Sequence, residues 1–242
     1  MDIREKALLI HKRLCATYHC PIPYFHNLDP LSELISSLLS HRTRNKDSGN
    51  AFKKLRSRFP TWELVRDASV EDIQSAIEVV TWPEQKAPRI QAILRTLSER
   101  CGDPLNLEFL ADMPPIEARH WLESLQGVGP KTSAAVLLFS TLRIPALPVD
   151  CHHQRVAERL ELIKKKLNPV KMHDILAKQL PDDFSAQEVY DNHEILMLHG
   201  QRCCFIQNPA CSRCSVLDLC PEGQLRRHQV SSQNRELQQD SP

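Results

Sequence analysis

Apolar residues recur at helical spacing along almost the whole chain, and this periodicity restricts the fold more than any other feature. Leu31, Leu34, Ile35, Leu38 and Leu39 share one face of a helix over 30–40. The same spacing predicts helices over 3–16, 47–58, 70–80, 86–99, 115–125, 130–142, 151–163, 170–180 and 185–199. Start signals mark several of them: Asp29 before Pro30, Ser69 with Asp72 three residues on, and Ser185 with Glu188. Only six glycines interrupt the 242 residues, and alternating β-branched runs are nearly absent. The chain is predicted to be all-α. From Gln224 to Pro242 the sequence is polar and aperiodic, which predicts a disordered tail.

Composition narrows the class. A chain 41% hydrophobic and 25% charged reads as a soluble globular protein. No apolar run approaches the ~20 residues of a membrane span, and the charged N-terminus has no signal-peptide core. The expected compartment is the cytoplasm, or the nucleus in a eukaryote. Nine cysteines in an unexported chain argue against a disulfide framework. With a net charge of +1, any surface for a polyanion must come from local patches.

Four cysteines crowd into Cys204-x6-Cys211-x2-Cys214-x5-Cys220, the last followed by Pro221. In a reducing compartment such spacing means metal, either tetrahedral zinc or a [4Fe–4S] cluster. One short pair flanked by two longer arms fits a chain wrapping a bulky inorganic core better than paired zinc knuckles. Cys203 directly precedes a candidate ligand, but adjacent side chains diverge, which leaves it outside the set.

Two glycines fall within Leu125-Gln126-Gly127-Val128-Gly129-Pro130-Lys131-Thr132, between two apolar-periodic segments. A helix–turn–helix with these glycines permits positive φ and close backbone approach, and free N–H groups after Gly129 can take a phosphate oxygen. The bland alternative is a simple αα-hairpin. Nineteen residues after Lys131, Asp150 opens Asp150-Cys151-His152-His153-Gln154-Arg155, where its first reading is a helix N-cap. A lysine at a helix start feels the positive end of the dipole, which favours the neutral amine a Schiff-base nucleophile needs.

These segments together, with Leu198-His199-Gly200 leading into the cysteines and Leu38-Leu39-Ser40-x2-Thr43 upstream, resemble the endonuclease III branch of the helix–hairpin–helix DNA glycosylases. The resemblance spans about residues 28–222. It implies that family's two-lobed fold, with a central helical domain over 28–143 and a second lobe from 1–27 plus 144–222; residues 223–242 remain a tail. It implies a [4Fe–4S] cluster on Cys204, Cys211, Cys214 and Cys220. Lys131 becomes the attacking amine and Asp150 its carboxylate partner. DNA contacts fall to Arg42, Arg44, Trp82, Gly127, Gly129 and His152, although His152 reads equally as a helix-start residue. The implied activity is excision of oxidised pyrimidines from double-stranded DNA by a monomer, followed by β-elimination at the abasic site.

The chain departs from that family at two loops. Arg42 stands where a glutamine is common, and Trp82-Pro83 replaces an aliphatic wedge, so Trp82 reads either as a stacking wedge or as a packed side chain. Between Cys204 and Cys211 the basic residues frequent in relatives are missing, and Arg213 is the sole cation inside the cysteine frame. The runs Lys53, Lys54, Arg56, Arg58 and Lys164, Lys165, Lys166 read as solvated faces. Alternatives are the same chemistry on deaminated, alkylated or mismatched bases, or a non-catalytic DNA-binding iron–sulfur protein.

Overall fold

The computed structural model describes residues 1–227, and what it describes is helical with no strand. Two compact units divide the chain: Tyr24–Ala146, and Met1–Pro23 together with the chain from Leu147 on. Helix α1 (Ile3–Tyr18) opens the discontinuous unit, with Asp2 and Glu5 forming a capping box at its start.

The continuous unit holds α2 (Pro30–Ser40), α3 (Asn45–Arg58), α4 (Trp62–Asp67), α5 (Val70–Ala76), α6 (Pro83–Cys101), α7 (Pro115–Glu123) and α8 (Pro130–Phe139). Its centre is α2, which packs on α8, α3 and α6. Asp29 caps α2 by accepting from the Ser32 N–H at 2.9 Å, and Pro30 occupies the first turn, where its missing N–H costs nothing. The five apolar residues of the α2 stripe are 0–2% exposed. At about 2 kcal/mol each, their burial contributes on the order of 10 kcal/mol against an extended chain. Chain entropy consumes most of that gain, so the stripe selects the helix's orientation more than it sets net stability.

The discontinuous unit continues with α9 (Cys151–Arg159), α10 (Pro169–Ala177) and α11 (Ala186–Arg202), and α11 packs on both α9 and α1. The predicted caps are present: the Ser69 hydroxyl accepts from the Asp72 N–H, and Ser185 with Glu188 forms a second capping box.

Several boundaries differ from periodicity. The helix expected over 151–163 stops at Arg159, because Glu161 turns left-handed (φ 54°) and the Leu162 N–H closes back on the Ala157 carbonyl at 2.9 Å. Leu160, Leu162 and Ile163 stay buried in that closing turn, so their spacing imitates another helical turn. The helix expected over 70–80 ends at Ala76; Val79, Val80 and Thr81 are β-branched, and Trp82 precedes a proline. The one expected over 130–142 ends at Phe139, followed by extended Ser140 and left-handed Arg143. Six-residue α4 is too short to show a period.

One expectation is overturned, and one covalent feature was not anticipated. A disulfide joins Cys15 to Cys20, whose Cα atoms lie 4.9 Å apart. Left-handed His19 closes α1 and folds the chain back, so this is one local cross-link rather than a framework. The expected tail begins too early: residues 221–227 are helical, tied down by Gln224 bonds to the Leu217 and Asp218 carbonyls. The part of that tail over 228–242 lies outside the described residues.

Candidate functional site

The hairpin between α7 and α8 starts from a glycine that the turn requires. Gly127 has φ 86°, and a Cβ there would also sit 2.8 Å from Arg89 Cδ. Gly129 is extended (φ −108°), so its contribution is open space rather than positive φ. No side chain caps α8, which leaves its first-turn N–H groups available to an anion. Ser133 anchors the turn, its hydroxyl donating to Glu123 at 2.8 Å. Lys131 is exposed in the first turn, beside buried Thr132.

Thr132 leads to a residue the sequence reading missed. Its hydroxyl lies 3.1 Å from His41 Nε2. Burial first, then Lys131, Lys86 and Arg89, pull His41 down to about 4. The imidazole is therefore neutral at physiological pH and adds no charge beside the lysine. Arg42 and Arg44 follow it, both exposed; Arg44 donates to Asp47 at 2.7 Å. Trp82 is 45% exposed, so it is a projecting ring and not part of the core. The other basic runs behave differently: Lys54 pairs with Glu78, Arg58 with Asp72, and Arg56 lies over the buried Trp62 ring.

In the discontinuous unit, Asp150 caps α9 by accepting from the His153 N–H at 2.7 Å. Histidines from α10 and α11 pin the chain leading to it: His193 Nδ1 bonds the Pro148 carbonyl at 2.9 Å, and His173 Nε2 accepts from the Val149 N–H at 3.1 Å. Buried Glu194 on α11 is a further residue with no sequence signal. Burial, then the charges of Asp150 and Asp191, push its carboxyl up to about 7. His152 is half-buried, with Nδ1 3.1 Å from Arg155 Nη2. Its Cβ would lie 2.8 Å from a Cβ on Gly200, so glycine lets α9 and α11 approach there.

The thiols of Cys204, Cys211, Cys214 and Cys220 line one cavity beside Arg159 and His199. Cys203 lines it too, contrary to the expected divergence: α11 ends at Arg202, and the turn brings Cys203 within 4.8 Å of the His199 and Cys214 ligand atoms. Burial pushes the Cys214 thiol up to about 12 and Cys220 up to about 11, so a thiolate set here needs a cation to hold it. Two donors near the thiols work against that burial. Arg159 donates to Cys204 Sγ at 3.2 Å, and the Gly223 N–H donates to Cys220 Sγ at 3.3 Å. This donor set fits a metal centre. Arg159 supplies a cation that the segment between Cys204 and Cys211 lacks, from a position 45 residues before Cys204.

A family model described as HhH-GPD superfamily base excision DNA repair protein matches residues 35–182, more than half of the chain. The chain belongs to that superfamily. Within the HhH-GPD proteins it falls in the endonuclease III branch. Endonuclease III of Thermotoga maritima is 34% identical over 209 residues, covering 86% of this chain and 89% of that protein. Endonuclease III of Escherichia coli K12 is 30% identical over 217 residues, covering 90% and 95%. A solved endonuclease III–DNA covalent intermediate superposes with a TM-score of 0.78, covering 94% of this chain and 100% of that one at 22% identity. A thermostable thymine-DNA glycosylase gives 0.75, covering 91% and 97% at 20% identity. These two structural likenesses show the HhH-GPD fold.

Proposed function

We propose that this HhH-GPD protein is a bifunctional DNA glycosylase and abasic-site lyase acting on oxidised pyrimidines in duplex DNA. The observation that carries the reading is Lys131, an exposed amine in the first turn of an uncapped helix within a glycine hairpin. The target nucleotide leaves the base stack, and the Lys131 amine attacks C1′ as the glycosidic bond breaks toward the departing base. Asp150 stabilises the positive charge that develops on the sugar and moves protons. The C1′–O4′ bond then opens, O4′ takes a proton and C1′ becomes an iminium, which acidifies a C2′ proton. Removal of that proton drives β-elimination, and the C3′–O bond breaks with the 3′ phosphate as leaving group. Gly127, Gly129 and His152 contact the backbone, while Arg42, Arg44 and Trp82 meet the duplex near the lesion.

In this reading Cys204, Cys211, Cys214 and Cys220 hold a [4Fe–4S] cluster. Bound there, the cluster supplies a structural core, since the reaction moves no electrons in or out. About four irons per chain and a yellow-brown colour after anaerobic purification are expected; stoichiometric zinc without iron contradicts it. Residues 28–143 form the domain that carries the hairpin, and 1–27 with 144–222 form the cluster-bearing domain. The protein acts as a monomer, in the cytoplasm of a bacterium or the nucleus of a eukaryote; no described helix is long and apolar enough to cross a membrane.

Borohydride trapping on abasic duplex DNA tests the chemistry. A covalent protein–DNA adduct is expected, whereas a protein that only binds DNA yields none. Because Arg42 and Trp82 replace the residues common at these loops, a second reading keeps the chemistry on deaminated, alkylated or mismatched bases. Duplexes carrying one defined lesion each separate the two.

A further inference from the structure

Arg42 and Trp82 belong to different loops, yet both adopt left-handed backbone, with φ of 53° and 56°. Neither is glycine, asparagine or aspartate, so each pays about 1–2 kcal/mol for that conformation. Such strain persists only where the surroundings over-determine it. The Arg42 guanidinium carbon lies 5.7 Å from the centre of the Trp82 ring, within cation–π range.

Lys86 on α6 supplies the constraint. It is 6% exposed, and its Nζ donates to the Leu39 carbonyl at 2.7 Å, the His41 carbonyl at 2.9 Å and Thr43 Oγ1 at 2.9 Å. Burial, with Arg89 nearby, lowers Lys86 to about 8, so it stays protonated at neutral pH and all three N–H bonds are used. Two of its acceptors are carbonyls at the end of α2, where orphan carbonyls and the negative dipole end favour a cation. Thr43 passes the constraint on, because its Oγ1 also accepts from the Thr81 N–H at 3.1 Å. Thr81 closes the ring, its hydroxyl donating to the Arg42 carbonyl at 2.9 Å.

We propose that Lys86 is a positioning residue that, through Thr43 and Thr81, fuses the two loops so that Arg42 and Trp82 read DNA as one unit. The proposal rests on the DNA-repair reading above and adds a specificity device to it. It explains why two strained residues from separate loops stand together, and why a lysine is buried between them. His41 belongs to the same bracket through its carbonyl, and its ring bonds Thr132 beside Lys131.

A double-mutant cycle tests the coupling. Affinity for duplexes carrying a non-cleavable abasic analogue opposite each base is measured for Arg42→Ala, Trp82→Ala and the pair. In the wild-type background the combined loss should be roughly tenfold smaller than the product of the single losses. In Lys86→Met that coupling should vanish. Thr81→Val removes only the hydroxyl that holds Arg42 and keeps the Thr81 N–H, so it should also abolish coupling without lowering Tm; it carries the test if Lys86→Met fails to fold. Without DNA, acrylamide should quench Trp82 fluorescence more readily in both variants. Additive losses in the wild type, coupling that survives Thr81→Val, or unchanged quenching each overturn the proposal. Failure of the wild type to trap on abasic DNA counts instead against the repair function, while trapping with additive losses counts against the bracket alone.

Discussion

Lys131 and Asp150, the two candidate catalytic residues, sit in contrasting surroundings. Lys131 lies exposed at the start of α8, where no side chain caps the helix. Asp150 is half-buried and already bonded to the α9 backbone, and its charge, with that of Asp191, bears on buried Glu194. An amine that must form a bond needs access and freedom to move. A carboxylate that must stabilise charge needs a fixed position and a controlled field. The contrast separates a residue whose removal takes away a bond-forming atom from one whose removal weakens an environment.

The largest expected effect falls on the exposed side. Lys131→Ala should abolish imine trapping while affinity for undamaged duplex stays within a few fold, because the amine acts on the sugar. On the half-buried side, Asp150→Asn should keep the fold, since asparagine also caps helices, yet slow base release by roughly 10²–10⁴-fold in single-turnover assays. Loss of folding in that variant would make Asp150 structural and dissolve the contrast.

The next effect tests whether the Asp150 unit depends on the proposed metal centre. Cys211→Ser should lower Tm by on the order of 10 °C, with the unit from Leu147 on losing amide-exchange protection before Tyr24–Ala146 does. Uniform loss of protection across both units would count against a local structural role.

A smaller effect isolates buried Glu194, which feels the charge of Asp150. Glu194 titrates near 7 in the folded chain against an ordinary 4.5, so between those values the folded state holds a proton that the unfolded state lacks. Its contribution to stability is full below 4.5 and is lost as pH rises through 7. Glu194→Gln should flatten that decline and stabilise the protein at pH 8 by up to ~3 kcal/mol, read from urea unfolding across pH. An unchanged pH profile would show that Glu194 ionises freely.

The smallest effect concerns reading rather than chemistry. Arg42→Ala should flatten a preference for guanine opposite the lesion, by about 1–3 kcal/mol in relative cleavage of one lesion across the four bases. Equal losses opposite every base would reduce Arg42 to a phosphate contact.

The helical architecture was legible in the sequence because α2 and α3 carry apolar stripes, while α2 and α11 carry side-chain caps. The hairpin was legible because Gly127 adopts a conformation that other residues resist. Helix ends after Ala76 and Arg159 were not, since buried residues in closing turns continue the helical spacing. The environment of the site was the least legible part. Lys86, His41, Glu194 and Arg159 act through partners dozens of residues away, or through burial, and no local pattern records either. That Cys203 also lines the cavity was hidden for a related reason: divergence of neighbouring side chains holds along regular backbone, but not where α11 ends in a turn.

The most direct test of the account is the identity of the trapped amine. The borohydride-reduced adduct of the wild-type protein with abasic duplex is digested, and the modified peptide is sequenced by mass spectrometry. The account predicts the sugar remnant on Lys131, within the peptide that spans the hairpin. A remnant on the N-terminal amine or on any other lysine would contradict it.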